Sequence, residues 1–264
     1  MPFLRGPVRG GPVVDALSDE TLARLCEAAR EVALCSRVLA KTGDTVLTEV
    51  LRDAVPPVEA WRHHPPGDVY DSEYHAQYYF HAHPESELVG EEVGHFHTFM
   101  RPLGMPEGVA PAPLPDLQPD QDGNAALSHL VGISVDIMGR VIRLFTTNRW
   151  VTGETWYAAD DVASMLEGFQ IDHARPSWPL NRWITALVSL YRDEIVELLQ
   201  ERDATVARWQ ADHPGSYVYD DRALEVMSER LVDVEGRIQE VERARRRRAR
   251  QQAAMADPAW QTRG

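Results

Sequence analysis

The 264-residue sequence contains few cysteines and no long run of apolar residues. Its two cysteines, Cys26 and Cys35, lie nine residues apart in a segment with helical spacing. This spacing puts them on opposite faces of a helix, so they cannot form a disulfide with each other, and we expect a reducing cytoplasm. No run approaches the roughly 18 apolar residues of a membrane span. The first residues also lack the apolar run of a signal peptide, so we expect no membrane partner and a flexible leader over residues 1–17.

Several motifs with well-known chemistry are also missing. The chain has no Cys-x-x-Cys pair, no His-Glu-x-x-His helix and no glycine-rich phosphate loop. Basic residues are few, with 27 Lys and Arg against 41 Asp and Glu and a net charge of −14. Such an acidic chain is repelled by nucleic acid. We therefore expect no specific nucleic-acid binding, despite the run "RARRRRAR" at residues 243–250.

The local pattern predicts helices at both ends of the chain and strands between them. Ser18 as an N-cap and Gly43 as a stop predict a first helix, followed by a short helix over residues 45–53. Residues 77–147 contain short alternating runs rich in aromatic residues, which are typical of antiparallel strands. A long helix is predicted over residues 181–211. This order predicts an α+β fold in which central β-hairpins form an antiparallel sheet covered by N- and C-terminal helices.

The C-terminal part has the spacing of a heptad helix. Its apolar positions are 3 and 4 residues apart: Leu224, Met227, Leu231, Val234, Ile238 and Val241. We predict a single α+β domain over residues 18–215, a heptad helix with a basic end over 216–250, and a disordered tail over 251–264. The heptad favours a homodimer through residues 221–243 and, equally, packing on the domain's own helices.

Seven of the ten histidines lie between residues 63 and 97. Two pairs have the form His-x-His, namely His81 with His83 and His95 with His97. On a strand, residues i and i+2 point to the same face, so a hairpin would bring all four imidazoles together. Imidazole binds zinc, iron and copper well. The pattern therefore predicts a site for a divalent metal ion.

Nearby carboxylates and a further histidine are candidates for chemistry at this site. Glu87 follows the first pair and Glu92 precedes the second, while His75 lies in the preceding turn. Each is a candidate catalytic group, and a carboxylate can also be a metal ligand or fix the tautomer of a histidine. The alternative is that these histidines have only a structural role, because a strand histidine is usually a half-buried aromatic residue.

Four motifs together, "HHPPGDVYD", "QYYFHAH", "GHFHTF" and "NRWVTGETW", resemble an uncharacterised bacterial protein family of unknown function. The resemblance covers roughly residues 20 to 235. It implies a stand-alone bacterial protein with a histidine-rich centre. It implies no activity, cofactor or fold.

Two classes of function follow from these patterns. The first is a cytoplasmic metal-binding protein, favoured as a metal-dependent enzyme of hydrolase or non-haem oxygenase type that acts on a small-molecule substrate. The alternative is a non-catalytic interaction or dimerisation module, or a metal or pH sensor with structural histidines.

Overall fold

The computed structural model describes residues 17–84, 90–117 and 122–256. The helices are α1 (Asp19–Ala40), α2 (Val46–Val50), α3 (Arg149–Thr152), α4 (Ala159–Met165), α5 (Trp178–Leu190), α6 (Arg192–Asp212) and α7 (Val234–Ala256). The strands are β1 (His64–Tyr70), β2 (Ala76–Ala82), β3 (Glu92–Met100), β4 (Ser128–Asp136), β5 (Val141–Thr147) and β6 (Val226–Leu231). Residues 1–16 of the predicted leader and Glu87 lie outside the described residues.

The first helix begins where the sequence predicts. The Ser18 side chain accepts a hydrogen bond from the backbone N–H of Thr21, and Asp19 and Glu20 occupy the first turn. These carboxylates are favourable near the positive end of the helix dipole. The apolar stripe of α1 is buried, including Leu25, and the helix packs along α5 and α7.

The six strands form one antiparallel sheet in the order β1-β2-β3-β4-β5-β6. The predicted α+β class and its antiparallel sheet are therefore confirmed. Within the hairpin of β2 and β3, His81 pairs directly with His95, and Tyr79 with His97. The strand β6 pairs with β5 although four helices separate them along the chain.

The two faces of the sheet have different partners. The Tyr78 hydroxyl donates to Asn181 of α5, and the ring of Phe96 lies near that of Trp183 on the same helix. These residues point to the helical layer, together with the buried Phe80. Because side chains alternate along a strand, the neighbouring histidines lie on the opposite face.

Three predicted elements differ from the structure. The helix predicted over residues 181–211 is two helices, because Tyr191 leaves helical geometry with φ −107 and ψ 17. The strands are predicted within residues 77–147, but β1 lies before this region, and its pairing with β2 is irregular between His64 and Val69. The tail was predicted to be disordered from residue 251, but residues 251–256 continue α7, and residues 257–264 lie outside the described part.

The heptad helix predicted from residue 216 is wrong over its first part. Residues 226–231 form β6, and α7 begins only at Val234. This segment forms a strand rather than a helix because the Ser228 hydroxyl makes hydrogen bonds both to Thr146 on β5 and to the backbone carbonyl of Leu198 on α6. On α7 itself, Val241 is fully buried in the core beside α1. This half of the seam therefore packs on the domain's own helices.

None of the helices in the described ranges is both long enough and apolar enough to cross a bilayer.

Candidate metal centre

The histidine cluster is built on the hairpin of β2 and β3. A side chain at Gly94 would run into the backbone carbonyl of His81 and the ring of Phe80. Only glycine therefore allows the two strands to approach this closely. The glycine sits beside His95, so it keeps His81 and His95 in direct register.

Three imidazoles converge on one point. The Nε2 atoms of His81 and His95 lie 2.8 Å apart, and those of His83 and His81 lie 3.2 Å apart. One ligand atom from each of the three lies within 4.8 Å of the other two. In a tetrahedral zinc site with Zn–N bonds of 2.0–2.1 Å, two ligand nitrogens are separated by about 3.3 Å. The three side chains can thus hold a metal ion after small side-chain rotations.

A buried carboxylate sets the tautomer of one of these rings. The Nδ1 of His95 lies 2.7 Å from Glu92 Oε1, and Arg143 donates to Glu92 Oε2 at 2.8 Å. An ionised carboxylate only accepts hydrogen bonds, so His95 Nδ1 carries the proton and its Nε2 presents a lone pair to the cluster. A carboxylate behind a histidine in this way is a regular feature of metal centres.

The electrostatics favour the neutral form of His81 and His95. Burial, and to a smaller extent the neighbouring His95 and His83, lower the pKa of His81 to about 2. Burial also lowers the pKa of His95, against the opposing effect of Glu92. For Glu92, burial raises the pKa, but the His95 hydrogen bond and the Arg143 charge together bring it below its usual value. A neutral imidazole is the form that binds a metal ion.

His97 lies on the same face but faces another histidine. Its Nδ1 lies 3.0 Å from His129 Nε2. Its Nε2 is buried and has no hydrogen-bond partner in the described part of the chain. The ring centroid of His97 is 4.7 Å from that of His95 and 5.2 Å from that of His81. His97 therefore borders the three-histidine cluster without converging on it.

Comparison with known proteins gives a family but no activity. Residues 26–232 match the family described as "Domain of unknown function (DUF6969)". The chain belongs to this family. No curated protein matches the chain, and no solved structure matches it. The family membership agrees with the resemblance drawn from the sequence motifs, and any function must be argued from the geometry of the site.

The structure describes two of the three candidate catalytic residues, Glu92 and His75, and neither lies beside the converging nitrogens. Glu92 lies behind His95 rather than beside the converging nitrogens. The Nδ1 of His75 is 2.6 Å from the Tyr70 hydroxyl, and His75 lies six residues before His81, which corresponds to roughly 20 Å along an extended chain. His75 is therefore not brought to the cluster. Glu87 lies outside the described residues.

Two residues near the cluster did not emerge from the sequence. Arg143 reaches Glu92 from β5, and it also donates to Glu229 on β6 at 2.7 Å. Side chains alternate along the strand segment "VIRLF", which places Arg143 on the same face as the histidines. This alternation is the one sequence feature from which Arg143 could have been predicted to lie near the cluster. The ring of Trp61 lies 4.2 Å from that of His83. Nothing in the local sequence connects Trp61 with the histidines twenty residues later.

Proposed function

We propose that this chain binds a divalent transition metal ion through His81, His83 and His95 and uses it in catalysis on a small molecule. The observation that carries the proposal is the convergence of three Nε2 atoms, one of them aimed by Glu92. Two N···N contacts at His81 cannot both be good hydrogen bonds, because its Nε2 has either one proton or one lone pair. A shared cation satisfies all three nitrogens.

The number of protein ligands favours a catalytic metal site, with one coordination position open, over a closed site. Three protein ligands leave a further coordination position free in the usual tetrahedral arrangement, as in catalytic rather than structural zinc sites. A metal ion at such a position can supply Lewis acidity to a bound water or substrate, and iron or copper can also supply redox chemistry. The chain's contribution is to hold the rings neutral and oriented in a largely buried setting. Both hydrolysis and non-haem oxygen chemistry suit this donor set.

Elemental analysis of the purified protein tests the proposal directly. After loading with zinc, iron or copper in turn, the wild-type chain is expected to retain one equivalent of at least one metal through gel filtration. The variant His81→Ala/His95→Ala is expected to retain none, because it keeps only one of the three ligands.

His213→Ala is the matched control. His213 is exposed and its ring stacks on Trp209, so its removal should leave the metal content unchanged. A wild-type chain that retains none of the three metals, or a double variant that retains as much as wild type, would overturn the proposal.

Glu92 provides a second prediction. Glu92→Ala is expected to weaken metal binding about 10- to 100-fold, because His95 loses the acceptor that fixes its tautomer. Glu92→Gln keeps a carbonyl oxygen for His95 Nδ1–H and should lose less. Competition with a chromogenic chelator measures both constants, and equal affinities for wild type and Glu92→Ala would contradict the assigned role.

A metal sensor or carrier with a closed site is the second candidate. The Nε2 of His97, which is buried and has no hydrogen-bond partner among the described residues, favours it, because a rotation of this ring would add a fourth nitrogen. In that case His97→Ala should weaken metal binding as strongly as His83→Ala does. The three-ligand enzyme site instead predicts that His83→Ala has much the larger effect.

A further inference from the structure

Trp61 packs against the half-buried side of the histidine cluster. Its ring is tilted against His83 at a centroid distance of 4.2 Å and lies edge-on to His81 at 5.5 Å. The side of His83 is the accessible one, since His83 is half-buried whereas His81 and His95 are buried. Trp61 itself is 48% exposed. A molecule that approaches the cluster from the side of His83 therefore meets the exposed indole.

The backbone holds Trp61 in a costly conformation. Its φ is +66, in the left-handed region that bulky residues rarely adopt. The Trp61 N–H donates to the carbonyl of Ala82, the residue between His81 and His83, at 3.0 Å. Such strain is retained mainly where function needs a side chain in one place. Here it fixes an exposed indole beside two of the three histidines.

The charge of the site selects the kind of donor atom. An imidazole binds a metal ion in its neutral form, and the Glu92 carboxylate accepts a hydrogen bond from the Arg143 guanidinium at 2.8 Å. A divalent ion held by these rings therefore keeps its full positive charge. An anionic oxygen donor is the ligand that such a centre attracts most strongly.

We infer that Trp61 is a specificity-determining residue, and that the site takes a planar aromatic anion whose ring stacks on the indole while its oxygen atoms reach the metal. The inference rests on the proposed metal function and adds the class of substrate. Offset or edge-on aromatic pairs favour such a ligand over an aliphatic one with the same donor group.

The test compares two chelating probes on protein loaded with Co²⁺. Benzohydroxamate and acetohydroxamate carry the same anionic oxygen donors and differ in the ring. Calorimetric titration of the wild type is expected to show a benzohydroxamate preference about two- to tenfold greater than the preference of free Co²⁺. Trp61→Phe should keep this excess, as should Trp178→Ala, which removes an exposed tryptophan on α5.

Trp61→Ala and Trp61→Leu should both lose the excess while still binding cobalt. The leucine variant fills the space beside His83 without an aromatic ring, so it answers the question even if the alanine variant loads poorly. The inference would be overturned, and the metal function left standing, by either of two results. The wild type could bind cobalt but prefer benzohydroxamate no more than free Co²⁺ does, or the leucine variant could keep the stronger preference. A wild type that takes up no metal would overturn both.

Discussion

An Arg237→Ala variant is expected to lose about 3–5 kcal/mol of unfolding free energy, because it leaves a buried carboxylate without its partner. Arg237 on α7 lies 3.0 Å from Glu194 on α6, and both side chains are 4% exposed. Burial raises the pKa of Glu194, and Arg237 opposes this rise. With the guanidinium removed, the largest effect that opposes burial is lost, and the charged carboxylate becomes costly.

Urea unfolding at neutral pH measures this loss, and two further variants interpret it. Arg237→Leu/Glu194→Leu removes both charges and should be much more stable than Arg237→Ala, because several atoms of the pair lack hydrogen bonds among the described residues. Arg246→Ala removes one member of an exposed pair with Glu242 and should cost less than about 1 kcal/mol. A loss at Arg237→Ala no larger than that at Arg246→Ala would contradict the prediction.

Glu154→Gln is expected to stabilise the protein increasingly as the pH rises. Burial raises the pKa of Glu154 to about 7 from an ordinary 4.5, while Arg202 and the His129 N–H oppose the rise. A raised folded-state pKa favours folding below pH 4.5, and this contribution is lost as the pH rises to about 7. The variant cannot ionise, so its advantage over the wild type should grow by up to about 1.4 kcal/mol per pH unit between these values.

Unfolding curves at several pH values between 4 and 8 provide the measurement. In the wild type, the backbone N–H of His129 donates a hydrogen bond to Glu154 Oε2 at 2.8 Å. Glutamine retains an oxygen that can accept this hydrogen bond. Glu167→Gln, at a side chain that is 78% exposed, serves as the control and should follow the wild type at every pH. Parallel curves for Glu154→Gln and the wild type would show that Glu154 ionises in the folded state as it does in water.

The sequence predicts the histidine hairpin well because its determinants are local. Alternation in "QYYFHAH" and "GHFHTFM" assigns the strands and places the two His-x-His pairs on one face, as the structure shows. The sequence predicts the start of α1 equally well, since Ser18 and the acidic first turn are adjacent in the chain. In both cases, neighbouring residues decide the conformation.

The remaining parts depend on contacts between distant residues. The spacing of Met227 and Leu231 fits a helix, but the pairing of this segment with β5 overrides it, and no local pattern reveals that partner. Arg143 and Glu92 meet across 51 positions, and Trp61 reaches His83 from outside both strands of the hairpin. His75 was a candidate by proximity in sequence alone, and its ring instead contacts Tyr70 in a turn.

The closeness of the three converging histidines along the chain has a consequence for linkage between binding and folding. His81 and His95 are only 14 positions apart, with His83 between them. Closing so short a loop costs little entropy, so an unfolded chain can also chelate an ion with these side chains. Binding to the unfolded chain offsets part of the stabilisation that affinity for the native state would give. A metal at this site should therefore raise the melting temperature by less than its dissociation constant implies.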